Sequence, residues 1–239
     1  MRINKYLSLC GVTSRRGAEI FIKKKRVTVN DLTVEKPGLV IDETTDQVKV
    51  DGTKVEPVEH KYYILLNKPR MVLTTLHDPF HRPTVGYYVK KGPARVYPVG
   101  RLDYDTEGAL LMTNDGELAY RLAHPKFEVE KIYLAEIDGP IKTGELDRLS
   151  KGVKLEDGHL GKAEAEILYA SLKTSRIRLT LTEGHKREVK QLMKGIGHPV
   201  RRLKRVSFAG LKVDNLNPGR WRFLNVNEVK RLQNLVGIK

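Results

Sequence analysis

The sequence predicts an α+β protein in two parts, a small helix–helix–hairpin module followed by a larger, strand-rich domain. Three observations carry that expectation. The N-terminal stretch holds two short helical runs and then alternating strands. A polar segment containing Pro57, residues 56–61, separates two hydrophobic patterns. Beyond it, short apolar or alternating runs bounded by Gly, Pro and Asn are interleaved with a few helical stretches. The expected organisation is a module over 1–55, a linker over 56–61 and a second domain over 62–239.

Within the module, residues 4–9 read as a helical run stopped by Gly11, and Ser14 reads as the N-cap of a second helix with Ala18, Phe21 and Ile22 inside. Residues 27–29 and 32–34 flank Asn30-Asp31 as a hairpin, and 47–50 alternate before a turn at Asp51-Gly52. Residues 1–30 carry a net charge of +7 and residues 31–60 one of −5. The helix pair, with Lys23 and Lys24 among its cations, therefore presents a basic face. Such a face suits phosphate contacts, and it equally suits a solvated helix surface.

The second domain opens with a buried strand over 62–66 that ends in Asn67-Lys68-Pro69. Lys68 at a strand end is either a phosphate contact or an ordinary surface lysine. The loop over 76–83 carries His77, Asp78, His81 and Arg82, interrupted by Pro79 and Pro83; its spacing fits no zinc pattern, so a metal site is not expected there. Residues 97–116 set Arg101, Asp103 and Asp105 between a Gly and an apolar run, 109–112, read as a short buried strand that ends in a turn at Asn114-Asp115-Gly116. Chemistry can sit on that loop. So can an Asx turn with Arg101 in solvent, or a DxD metal site, although the last needs more ligands than this stretch offers.

A helix follows over 117–123, then a strand over 131–137 with Tyr133 on the face opposite Ile132 and Leu134. A short helix over 143–150, a turn over 153–158 and strands over 163–169 and 176–182 read as scaffold. Val189, Leu192, Met193 and Ile196 mark one face of a further helix, which puts Lys190 on another side. Between His185 and Arg205 the net charge is +7, and this second concentration, with Lys186, Arg187, Arg201 and Arg202, is expected to line a groove for a polyanion. His185 and His198 adjoin glycines, which suggests turns. A strand over 206–213, another over 221–224 and a last helix capped by Asn227 complete the expectation.

With 44 Lys and Arg against 29 Asp and Glu the chain carries +15, so its partner is a polyanion, with nucleic acid the leading candidate. No apolar run matches a membrane span and the N-terminus has no signal-peptide core, so a cytoplasmic protein with no membrane partner is expected. The single Cys10 excludes an internal disulfide and a cysteine-based metal site.

Gly100-Arg101-Leu102-Asp103, with Thr106, Gly108 and Thr113-Asn114-Asp115-Gly116, resembles the signature loop of the RsuA/RluB-type rRNA pseudouridine synthases. The resemblance runs over nearly the whole chain. It implies a catalytic domain with a central mixed, mainly antiparallel sheet flanked by helices. It also implies that Asp103 is the catalytic aspartate, that Tyr133 of the Lys131-Ile132-Tyr133 triplet stacks on the target base, and that Lys190 of Arg187-Glu188-Val189-Lys190 pairs with the aspartate. Arg101 would hold a flanking phosphate or fill the space the base vacates. Arg2, Lys5, Ser14-Arg15-Arg16 and Val27-Thr28-Val29-Asn30 resemble an S4 RNA-binding domain, which favours RNA over DNA. The implied reaction is uridine-to-pseudouridine isomerisation on ribosomal RNA or a pre-ribosomal particle, with the large subunit slightly favoured, by a monomer needing no metal and no small-molecule cofactor. A non-catalytic RNA-binding ribosome-assembly factor is the competing expectation.

Overall fold

The computed structural model describes residues 1–90, 92 and 94–238. The chain divides into two compact units, Met1–Lys61 and Tyr62–Lys239.

The first unit packs α1 (Ile3–Leu9) and α2 (Arg15–Lys23) with β1 (Val27–Val29), β2 (Leu32–Thr33), β3 (Val48–Val50) and β4 (Thr53–Lys54). The strands form an antiparallel sheet in the order β2-β1-β3-β4. The Ser14 hydroxyl accepts from the Gly17 N–H at 3.0 Å, satisfying a donor that the first turn of α2 leaves open. Ile3, Leu7, Ala18 and Ile22 meet Val27 and Val48 in a closed core. At the β1–β2 turn both Asn30 (φ 50) and Asp31 (φ 65) are left-handed, which a two-residue hairpin turn requires and which short polar side chains tolerate. Arg2, Lys5, Arg15, Arg16, Lys23 and Lys24 are all exposed.

The second unit contains β5 (Tyr63–Lys68), α3 (Val85–Val89), β6 (Tyr97–Pro98), β7 (Thr106–Thr113), α4 (Gly116–Ala123), β8 (Lys131–Asp138), α5 (Thr143–Lys151), β9 (Val153–Lys154), β10 (Leu160–Gly161), β11 (Glu164–Ala170), β12 (Thr174–Leu181), α6 (Glu188–Gly195), β13 (Val200–Phe208), β14 (Leu211–Lys212), β15 (Trp221–Phe223) and α7 (Val226–Leu235). Among the described residues its main sheet runs β11-β12-β8-β13-β7-β5-β15. Among the described residues every strand pairing along it is antiparallel except β13 with β7, so the sheet is mixed, as an α+β fold with a central mixed sheet requires. All eight residues of β7 are buried, because helices and loops cover both of its faces. On one side α4 and α7 bring Leu118, Leu122 and Leu232 onto Leu65, Ala109 and Leu111. On the other, Val85 and Val89 of α3 lie on Ile64, Leu66, Leu110 and Met112. Beneath β8 and β12, α5 and α6 pack Leu146, Leu149, Leu192 and Met193 against Ala135, Ile137 and Leu179.

The strand expected over 109–112 is longer, Thr106–Thr113, and two further boundaries move for a visible reason. The strand expected over 206–213 is the end of β13 plus β14, divided at Ala209 (φ 52) and Gly210 (φ 76). A left-handed alanine gives no sequence signal of a turn. The last helix is capped two residues earlier than Asn227: the Asn225 side chain accepts from the Glu228 N–H, and the Glu228 carboxylate accepts from the Asn225 N–H, both at 2.9 Å. No helix among the described residues is long and apolar enough to cross a membrane.

Candidate active site

One row of register neighbours crosses the sheet through Leu179, Tyr133, Arg205, Gly108 and Lys68. The loop carrying Asp103 enters β7 beside this row. It is pinned at both ends: Val99 N–H donates to Leu111 O at 2.8 Å, and Thr106 N–H donates to Asp103 O at 3.1 Å. Between them Leu102 is buried, its carbonyl accepting from the Thr74 hydroxyl at 2.6 Å. Leu102 thereby anchors the backbone while Asp103, next in sequence, keeps a side chain 32% exposed. Gly108 has φ +113, and a Cβ there would lie 2.1 Å from Arg205 O, so the parallel β7–β13 contact needs glycine at this point.

Asp103, Arg101 and Tyr133 line one cleft, together with Lys131, Arg187 and Arg205. Lys190, from the first turn of α6, reaches in from the side, its Nζ 3.6 Å from Asp103 Oδ2. Its nearer partner is Asp105 Oδ1, in a direct hydrogen-bonded ion pair. Burial works against ionisation of Asp105, but the Lys190 hydrogen bond and charge outweigh it and hold the carboxyl below the ordinary range. One ammonium therefore serves two carboxylates, and the closer of them is not the one singled out from the sequence.

Three cleft groups escaped the sequence reading. Arg205 is 2% exposed, donates from Nε to Ala109 O at 2.8 Å and keeps a buried Nη2 without a protein acceptor. Lys131, which donates to Val129 O and Thr182 O, is pushed down to about 8 by burial and by the nearby Arg205 charge. Burial pushes the Glu188 carboxyl up, and its Oε1 has no partner. Lys131 and Glu188 fall inside the motifs that carry the resemblance, which single out Tyr133 and Lys190 in place of them; Arg205 has only its position on the inward face of a strand as a signal.

Lys68 requires a correction. It is fully buried, donating to Pro69 O at 2.9 Å and Thr106 O at 2.8 Å, so it cannot meet RNA from outside; it braces the entry to β7 instead. Burial lowers its pKa to about 8, although Asp103, Asp105 and Glu107 pull the other way. Arg201 and Arg202 do not join the cleft either. Arg202 pairs with Glu107 at 2.8 Å and Arg201 with Asp138 at 3.5 Å; Arg202 lies among Leu134 and Glu136, the face of the sheet opposite Tyr133. Lys186 and Arg187 are exposed just before α6. In the loop over 76–83, the buried Asp78 carboxylate accepts from the Arg82 guanidinium and from the Phe80 and Arg82 N–H groups, which push it down to about 2. That aspartate is committed to shaping the loop.

The family model for RNA pseudouridylate synthase matches residues 62–194. The chain is 43% identical to a Bacillus subtilis protein named ribosomal large subunit pseudouridine synthase B, covering 98% of this chain and 96% of that one. It is 44% identical to an Aquifex aeolicus protein named as an uncharacterized RNA pseudouridine synthase, over 100% of this chain and 96% of that one. Among solved structures it is similar to a pseudouridylate synthase crystal structure with a TM-score of 0.70 and 26% identity, covering 97% of this chain and 99% of the other.

Proposed function

This chain belongs to the RNA pseudouridylate synthase family, and we propose that it is a synthase of the RsuA/RluB type, converting a uridine of large-subunit ribosomal RNA to pseudouridine in the cytoplasm with Asp103 as its catalytic carboxylate. The observation that carries this reading is the position of Asp103: on a pinned loop at a cleft lined by Tyr133, with the Lys190 ammonium 3.6 Å away. The name of the Bacillus subtilis relative supports the choice of subunit.

The reaction breaks the N1–C1′ bond, turns the detached uracil and joins C1′ to C5; the proton leaves C5 and N1 gains one. Redox chemistry has no part in it. Asp103 acts at the ribose or on the base, in the manner of a glycosidase carboxylate. Extracting the uridine from its stack costs on the order of a few kcal/mol, and stacking on Tyr133 returns about 1–3 kcal/mol. Negative charge develops on the uracil oxygens as N1 departs. Arg205 and Lys131 are the donors placed to meet it, since a buried, unfilled guanidinium N–H needs no reorganisation to accept an anion. Arg101, exposed at the mouth, contacts a flanking phosphate. The Met1–Lys61 unit serves as the S4-like RNA-binding module, with Arg2, Lys5, Arg15, Arg16, Lys23 and Lys24 on phosphates.

Ribosomal RNA from cells lacking the protein tests this directly. Incubated with the wild type it should gain pseudouridine in the large-subunit RNA. Lys190→Met should gain it at roughly 10²-fold lower turnover, because Asp103 and Asp105 then repel each other without a cation. No new pseudouridine with the wild type would end the synthase assignment to ribosomal RNA, and full activity in Lys190→Met would remove the ammonium from the mechanism.

Replacing Arg15 and Arg16 together with Ala should weaken RNA binding and flatten the slope of log K against log salt by about 1.4, the share of two phosphate contacts on single-stranded RNA. An unchanged slope would show that this face does not touch phosphate.

A further inference from the structure

At the rim of the cleft, three side chains that the isomerisation does not use converge where the hairpin of β9 and β10 approaches the segment leading into α6. His159 Nε2 lies 2.6 Å from Glu183 Oε2, and His185 Nε2 lies 3.4 Å from the same oxygen. The two imidazoles stack with centroids 4.0 Å apart. One ligand atom from each of the three residues falls within 4.8 Å of the other two. Asp157 closes the group from behind: it accepts from the His159 backbone N–H at 3.0 Å and faces His185 Nδ1 at 3.1 Å.

The hydrogen-bond roles follow from these contacts. Nδ1 of His185 faces a carboxylate and so carries a hydrogen, and Nε2 faces the Glu183 oxygen, a contact that needs either a second ring proton or a bound cation. A lone pair against a carboxylate oxygen is repulsive unless a positive species stands between them. A second carboxylate bonded to the far nitrogen is also the arrangement that fixes tautomer and ring orientation in a metal-bound histidine.

We propose that His159, Glu183 and His185 form a binding site for a divalent transition ion of the zinc class, with Asp157 orienting His185. Two imidazole nitrogens and one carboxylate oxygen are a donor set that zinc accepts, with a fourth position left to water or another oxygen; magnesium, which prefers oxygen donors, does not fit it. Zinc–ligand bonds of about 2.0–2.1 Å set ligand–ligand edges of roughly 3.3 Å in a tetrahedron. The 3.4 Å pair already has that spacing. The 2.6 Å pair has to open, and its two side chains, 36% and 44% exposed, are free to turn. Because His159 comes from the β9–β10 hairpin and Glu183 and His185 from the approach to α6, the ion ties two separate segments together at the entrance to the cleft. This inference stands apart from the pseudouridine assignment, since it concerns only these side chains.

The test is calorimetric titration of the chelator-treated full chain with Zn²⁺, with Mg²⁺ as control. The wild type should bind one Zn²⁺ per chain at micromolar or tighter dissociation constant and no Mg²⁺ at this site. His159→Ala should weaken Zn²⁺ at least about 100-fold. His159→Asn, which keeps a polar group in the hairpin, should give the same result and covers the case in which the alanine variant misfolds. His198→Ala removes an imidazole paired with Glu145 elsewhere and should leave the affinity unchanged. A wild type that takes up no stoichiometric Zn²⁺ would overturn the proposal and leave the His185–Glu183 contact to a shared proton. Equal affinity in the wild type and both His159 variants would overturn it as well.

Discussion

Asp103→Asn is expected to lower pseudouridine formation by roughly 10³-fold or more while leaving the fold and RNA binding intact. The substitution is nearly isosteric, and the side chain is 32% exposed, so no core contact is lost. What disappears is the chemistry. An amide neither attacks an anomeric carbon nor removes a proton, and it gives Lys190 no charge to face. Asp105 stays ionised beside Lys190, so the local charge balance shifts without collapsing. The measurement is single-turnover pseudouridine formation on ribosomal RNA, beside a binding isotherm for the same RNA. Turnover within tenfold of the wild type would take Asp103 out of the reaction and pass the role to Asp105. A competing expectation, a ribosome-assembly factor acting by RNA binding alone, predicts that Asp103→Asn supports growth as well as the wild type does and that neither protein makes pseudouridine.

Gly108→Ala should be the most damaging single methyl in the chain. A Cβ at this position would sit 2.1 Å from Arg205 O and 2.8 Å from Arg205 C and N, all of them backbone atoms that no rotamer change can move. The φ of +113 adds strain for any side chain. Relief requires β7 and β13 to separate, which breaks their parallel junction and displaces Arg205 from the cleft. The expected cost is about 3 kcal/mol or more, with a matching fall in the denaturation midpoint or failure to accumulate as folded protein. Gly100→Ala provides the comparison: φ there is +69 but no atom lies within 4 Å of the added Cβ, so only the backbone penalty of about 1–2 kcal/mol is expected. Equal midpoints for the two variants would mean that the β7–β13 contact is looser than its geometry.

Much of the scaffold was legible because its signals are local. The continuous apolar run from Ala109 to Met112 announces a strand buried on both faces, and Ser14 announces a helix start. Groups whose roles depend on distant partners were harder to read. Lys68 looks like a surface lysine at a strand end, and only the Thr106 carbonyl, 38 residues further on, explains its burial. Arg205 is one of eight cations in a basic stretch, and nothing near it in sequence separates the buried one from Arg202, which faces the opposite side. The preference of Lys190 for Asp105 over Asp103 is set by side-chain reach across 85 residues of chain, where spacing is silent. His159 and His185 stack only because β10 and the approach to α6 meet in space.

The parallel pairing of Thr106 with Leu203 joins segments separated by nearly a hundred residues. Closing a loop of that length costs about 4 kcal/mol of chain entropy before any contact repays it. During synthesis, therefore, the loop bearing Asp103 leaves the ribosome long before the strand that completes its surroundings. The N-terminal unit, with a core drawn from its own residues, is able to assemble early; the site is complete only once the residues of β13 have emerged.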